Sequence, residues 1–361
     1  MTPSTQVGGT RRDERLAREW LDRAEAHRAS GRLIDTVDAL TAANRAAPST
    51  ETERSLVRAR HDGFAAVRGA DGASAPAEPA TALPPADPLP IIEAGELSAG
   101  LIAAAIRGHG ALHVRRLLPE ARVAALVEGI DRAITAAEAF DRGAGADETT
   151  PWFEPFRPAA GYPVETKLQV GNRRRWVRDA GGVWTADSPH MMFEFFETLD
   201  AVGLRSVVTE YLGERPVLAV DKCTLRRVGL DTGTDWHQDG AFLGTGPAMR
   251  TVNVWMALSH CGRDAPGLDV VPARLDSIVE TGTDGAQFQW AVGPGAVERT
   301  VAAIGSSVYR PVFEPGDALI FDELFLHRTA IDDTMTRERH AIETWFFAPS
   351  LYPGQYVPVI V

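Results

Sequence analysis

An α+β fold is predicted by two features of the sequence. Helical periodicity is concentrated in the first half of the chain, whereas short apolar segments bounded by Gly, Pro or Asp dominate the second. Helices first and strands later do not give the regular alternation of a doubly wound parallel sheet, so the strands are expected to close into a sandwich or barrel. The double-stranded β-helix, a jelly-roll or cupin-like core, is the expected form, with flanking helices and a small N-terminal helical hairpin.

Residues 13–66 carry the first helical pattern. Leu16, Trp20, Leu21 and Ala24 mark one apolar face, Leu33, Val37 and Leu40 another, and Gly31 separates them. The stretch AEAHRASGRLIDTVDALTAANRAAP resembles one tetratricopeptide-type hairpin closed by Pro48. A solenoid needs about three repeats, so 1–66 is expected to be an appendage that packs on the main domain or serves protein contact or dimerisation. Residues 67–92 are too rich in Pro and Ala to bury a core and read as an extended linker, which implies few contacts between the parts it joins. The main domain is then 93–361. It opens with a helix, a short strand at 111–115 and another helix, and continues with strand-like segments at 219–228, 250–258, 267–272, 317–322 and 341–347.

Composition narrows the function. The 361 residues are 44% hydrophobic and 24% charged, which is globular, and no apolar run approaches the roughly 20 residues of a membrane helix. The formal charge of −12 argues against a general nucleic-acid binder. The amino terminus lacks the apolar core of an export signal, and two cysteines are too few for a disulfide framework; a cytoplasmic location fits. A small-molecule substrate is the expected partner.

The sharpest local signal is Asp235-Trp236-His237-Gln238-Asp239-Gly240. In a strand or at its exit, His237 and Asp239 project to the same side and can reach one ion. Downstream, GDALIFDELFLHRTA reads as a turn, a buried strand and then His327. Two imidazoles and a carboxylate on one face of a metal leave three open positions, the arrangement that lets Fe(II) take a bidentate keto acid and then dioxygen. The other histidines, His27, His61, His109, His113, His190, His260 and His340, lack that context. A distal carboxylate of 2-oxoglutarate calls for a fixed planar cation. Arg339, opening RHAIETWF and expected to lie antiparallel to the strand of His327, is the candidate, with Arg337 as its rival.

Together WHQDG, TVNVWMALSH, APGLDVVP, PGDALIFDELFLHRT and RHAIETWFF resemble the phytanoyl-CoA dioxygenase-like family of Fe(II)/2-oxoglutarate oxygenases over residues 93–350. The resemblance implies that His237, Asp239 and His327 bind iron and that Arg339 holds 2-oxoglutarate. It extends to Thr329, two residues past the distal His, to Trp255 in the strand after the HxD pair, and to Lys167 in a Lys-x-Gln segment, all as cofactor-binding residues. Two departures stand out: Pro272-Ala273-Arg274-Leu275 replaces a Pro-Gly-Ser-His turn, and the segment from His327 to Arg339 is slightly long. The implied reaction consumes O2 and 2-oxoglutarate and hydroxylates an unactivated C–H bond of a small-molecule or acyl substrate, releasing succinate and CO2. The carboxylate of Asp239 argues against a halogenase. A desaturase or epimerase would use the same centre, and a non-catalytic β-helix sensor or scaffold is the reading from another class. The segment 151–184 is expected to wall the pocket, with Trp152, Phe153, Tyr162 and Trp176 toward an apolar substrate and Arg173, Arg174 and Arg175 as a solvated run in a Gly-rich loop.

Overall fold

The computed structural model describes residues 11–68, 75–162, 164–243 and 249–361; residues 1–10, read above for an export signal, and 69–74 of the expected linker lie outside them. The first part of the chain forms α1 (Arg11–Ala29), α2 (Leu33–Ala46), α3 (Thr50–Asp62) and the short α4 (Phe64–Val67), so two further helices follow the hairpin. Gly31 turns the chain between α1 and α2 at φ +72°, a left-handed conformation that favours glycine. Ser49 caps α3 by accepting the Thr52 amide proton. Leu16 and Leu21 are exposed, and α1 instead buries Ala17 and Ala24; Ala24 packs with Val37, Leu40 and Leu56.

These helices do not stand apart from the rest. The same cluster contains Val217 and Ile360 from the sheet, and Arg60, buried, lies 4.0 Å over the Phe196 ring and donates to the Ile360 carbonyl. His61 uses both ring nitrogens: Nδ1 donates to the Pro358 carbonyl at 2.8 Å, and Nε2 accepts from the Ala159 amide at 3.2 Å.

The remainder follows in the order β1 (Ile91–Glu93), α5 (Ala99–His109), β2 (Ala111–Arg115), α6 (Glu120–Asp141), α7 (Ala146–Thr149), α8 (Val164–Asp179), β3 (Gly182–Trp184), α9 (Pro189–Ala201) and α10 (Leu204–Leu212). Then come β4 (Val217–Val228), β5 (Thr251–Ala257), β6 (Gly267–Val270), α11 (Pro294–Ile304), β7 (Ala318–Phe321), β8 (His327–Ala330), β9 (Arg339–Phe347) and β10 (Pro358–Ile360). The large mixed sheet has the order β1-β2-β7-β5-β9-β4-β10, with β3 also on β4. Facing it is the pair β6-β8, extended by bridges from His237 to His327 and from Val270 to Tyr309.

Strand periodicity explains the layers. On β5, Val252, Val254 and Met256 join the helix-side core with Ile102, Ile130 and Phe195, while Trp255 and Ala257 join the core between the sheets with Leu268 and Phe313. β7 alternates likewise, Ala318 and Ile320 toward the helices, Leu319 and Phe321 toward the small sheet. One expectation is corrected here. β9 pairs with β4 and β5, not with β8, which pairs with β6; the chain between His327 and Arg339 therefore crosses from the small sheet to the large one. The length of that segment is the distance such a crossing needs, rather than a long hairpin.

Candidate active site

Between the two sheets lies a cavity of about 440 Å³ lined by His237, Asp239 and His327 and by Thr329, Trp255 and Arg339. His237 and His327 face each other as an antiparallel bridge, each amide donating to the other's carbonyl at 2.9 and 3.0 Å, which holds the rings with centroids 4.4 Å apart. His327 therefore opens β8 rather than trailing β7. Asp239 starts the helical turn Asp239–Leu243 and brings its carboxylate to 3.8 Å from His237 Nε2.

The tautomers follow from the backbone. His237 Nδ1 lies 2.7 Å from the Asp235 carbonyl and His327 Nδ1 2.9 Å from the Phe325 carbonyl. A carbonyl only accepts, so both protons sit on Nδ1 and both Nε2 lone pairs are free, as in a histidine prepared to ligate. Burial, reinforced by the neighbouring His327, pushes the His237 pKa down to about 4 and keeps the ring neutral. Asn253 Nδ2 donates to Asp239 Oδ2 at 2.5 Å and fixes that carboxylate. Donor atoms of the three side chains lie within 4.8 Å of one another, a set that could hold a metal ion.

On the opposite wall Arg339 is 2% exposed, with Nη1 donating to the Gly267 carbonyl at 3.1 Å and Nη2 3.8 Å from Glu343. Its Nε and the indole Nε1 of Trp255 are buried without an acceptor among the described residues. Buried donors are nearly always satisfied, and a dicarboxylate would satisfy these. Arg337, by contrast, has a side chain 67% exposed and paired with Asp264 outside the cavity.

Lys167 does not reach this site. It is exposed on α8 and donates to the Ala160 carbonyl at 3.0 Å. The lysine that lines the cavity is Lys222 of β4, beside Asp221, Thr224 and Arg226, and β9 adds Glu343 and Trp345. None of these was singled out from sequence. A register shift in β4 between Leu218 and Cys223 decides which of its side chains turn inward, and single-sequence alternation does not reveal it. Of the expected wall residues only Trp176 and Arg173 line the cavity; Phe153 is core and Trp152 packs on His190. The arginine run lies on α8, not a Gly-rich loop. Arg173 pairs with Asp221 and Arg174 with Asp187, leaving Arg175 as the exposed member. Other histidines have partners elsewhere: His260 with Glu314, His340 with Asp131, His113 with Asp317 and His190 with Glu53.

The family model for phytanoyl-CoA dioxygenase (PhyH) matches residues 106–340, more than half of the chain and the whole of the cavity's His, Asp and Arg set. The chain belongs to the phytanoyl-CoA dioxygenase family. It is thus an oxidoreductase of the iron- and 2-oxoglutarate-dependent oxygenases, and the helices α1–α4 lie outside the family match. No match was found among curated proteins. Among solved structures, EctD from S. alaskensis with 2-oxoglutarate and 5-hydroxyectoine is 16% identical, covering 79% of this chain and 87% of that one at a TM-score of 0.48. The carbocyclase SnoK from nogalamycin biosynthesis is 14% identical over 74% and 98%, TM-score 0.45. The epimerase SnoN with Fe3+, α-ketoglutarate and nogalamycin RO is 16% identical over 69% and 83%, TM-score 0.42.

Proposed function

We propose that this family member is a dioxygenase that hydroxylates an unactivated C–H bond of a small-molecule substrate, with His237, Asp239 and His327 as the iron ligands and Arg339 as the anchor of the far carboxylate of 2-oxoglutarate. The two sheets are read as the walls of a double-stranded β-helix, and residues 93–361 as the catalytic domain behind the 67–92 linker and the 1–66 appendage. The observation that carries the assignment is the convergence of two free imidazole Nε2 atoms and a carboxylate in one cavity with a buried guanidinium whose Nε lacks an acceptor among the described residues.

Iron bound there with the keto acid supplies the oxidising power that couples decarboxylation of 2-oxoglutarate to attack on a C–H bond. The protein's part is positional. The paired bridge holds His237 and His327, Asn253 orients Asp239, and Trp255 and Phe321 exclude water from the inner wall. Thr329 lines the cavity from β8, beside the ligand His327, where its hydroxyl supports the keto acid.

The test is succinate formation from 2-oxoglutarate by the purified chain with Fe(II) and ascorbate. Turnover is expected in air and absent under nitrogen or without iron; since one atom of 18O2 enters succinate in every case, it is the second atom, found in the oxidised substrate, that selects hydroxylation over desaturation or epimerisation. Activity that persists anaerobically without 2-oxoglutarate would overturn the proposal.

A further inference from the structure

We infer that Lys222 reads an anionic group, a carboxylate, on the organic substrate, and so restricts the enzyme to acids with an apolar body small enough for the cavity. This rests on the iron and 2-oxoglutarate reading of the same site and adds the substrate class to it.

The first support is the charge balance of the wall. Among the described residues, four cationic side chains line the cavity, Arg173, Lys222, Arg226 and Arg339, against three carboxylates, Asp221, Asp239 and Glu343. Asp221 is committed to Arg173 at 2.8 Å, Glu343 to Arg226 at 2.9 Å, and Asp239 to the metal set. The charges of Fe(II) and 2-oxoglutarate cancel each other. One positive charge is left over, in a protein whose formal charge is −12.

That charge sits on Lys222, which has no hydrogen bond or ion pair with any described residue. Its Nζ lies 4.2 Å from the Phe242 ring centroid, 5.4 Å from Trp345 and 5.8 Å from Tyr356. Such contacts stabilise the ammonium from its sides but leave its N–H donors unused. A half-buried ammonium with free donors and aromatic neighbours is a receptor for an anion attached to something apolar.

The same rings define the body of the ligand. Phe242 contacts Trp290 at 5.1 Å, Trp290 stacks on Phe288 at 5.2 Å, and Trp176 adds a further ring to the cavity lining. At about 440 Å³ the cavity lies toward the low end of ligand pockets, which run roughly 300–1,000 Å³. A carboxylate could come from 2-oxoglutarate itself or from the substrate; Arg339, on the neighbouring strand β9 and paired with Val228 rather than with the Lys222 end of β4, already serves the former, which assigns Lys222 to the latter.

The probes are 3-phenylpropanoate and its neutral isostere 3-phenylpropanamide, titrated calorimetrically into the full chain under nitrogen, with and without Fe(II) and 2-oxoglutarate. The wild type is expected to bind the acid at least about tenfold more tightly than the amide. Lys222→Met should abolish that preference with the amide affinity kept, Lys222→Arg should retain most of it, and the 2-oxoglutarate Kd should move less than about threefold in both. Equal binding of acid and amide to the wild type, or no binding of the acid, overturns the inference. So does Lys222→Met weakening 2-oxoglutarate tenfold while the acid preference survives, since Lys222 would then be a co-substrate residue. Failure of the wild type to bind 2-oxoglutarate with Fe(II) refutes the centre itself, and it shows in a separate titration from the acid-to-amide ratio.

Discussion

Asp239 is the one carboxylate of the donor set, and Asn253 holds it at 2.5 Å. Asp239→Ala should eliminate succinate formation and iron retention while leaving the thermal midpoint near that of the wild type, because the residue is partly exposed and packs no core; near-normal turnover with unchanged iron content would move the metal elsewhere. Arg339 and Arg337 offer a sharper contrast. Losing a buried charge-assisted pair costs roughly 2–5 kcal/mol, about 30-fold to several-thousand-fold in affinity, whereas an exposed pair is worth less than about 1 kcal/mol. Arg339→Leu should therefore raise the 2-oxoglutarate requirement by at least about 30-fold with iron still bound, and Arg337→Leu by less than about fivefold; the reverse ranking would transfer the anchor to Arg337. These residues were legible because each is carried by a local pattern: HxD, a turn-strand-His run, and Arg-His-Ala-Ile. Lys222, Asn253 and Glu343 were not, because their inward orientation depends on pairing register, which only the folded sheet specifies.

Among the elements, the strands announced themselves by length and punctuation, and 111–115 coincides with β2. Their faces did not: all seven residues of β5 are buried, so one strand serves the helix layer and the cavity wall without any polar alternation to separate the two. α3 is the element whose contacts carry a pH signature. His61 is neutral in the fold, since one nitrogen donates and the other accepts, and burial lowers its pKa. A lowered imidazole pKa means that its contribution to stability is complete above the unfolded value near 6.5 and is lost as pH falls toward the folded value. His190, at 2.8 Å from Glu53 of α3, behaves oppositely: although burial opposes the charge, the carboxylate holds its pKa above the ordinary value, so its contribution is complete below about 6.5 and fades as pH rises through the folded pKa. Between pH 7.5 and 5.5, the loss of thermal midpoint should be smaller in His61→Gln than in the wild type and larger in His190→Gln. Parallel melting profiles for all three proteins would place the titration outside α3.

For the whole molecule, the Pro- and Ala-rich composition of 67–92 suggested two parts with little between them, yet the structure packs α2–α4 onto α9, β4 and β10. The reason is chemical: a linker's composition governs only the chain that joins two units, while their contact depends on which apolar faces each leaves open. Here α3 offers Leu56, Val57 and Ala59, and the sheet offers Val217 and Ile360, faces that neither unit covers alone. Burying one aliphatic or aromatic side chain is worth about 1.5–3 kcal/mol, and a whole domain is stable by only roughly 5–15 kcal/mol. Removing residues 1–67 uncovers Val217, Ile360 and Phe193 and takes away the Arg60 and His61 links to the C-terminal strand, a loss comparable with the entire margin. The chain 68–361 should therefore be insoluble or melt at least about 10 °C below the full chain, at a few degrees per kcal/mol for this size, even though the family match and every cavity residue lie within it. If that truncation loses 2-oxoglutarate turnover, the milder Arg60→Met in the full chain, which keeps the aliphatic packing and removes one hydrogen bond and the charge over Phe196, should retain it. A monodisperse 68–361 fragment with an unshifted melting point would show instead that the helices are an independent appendage.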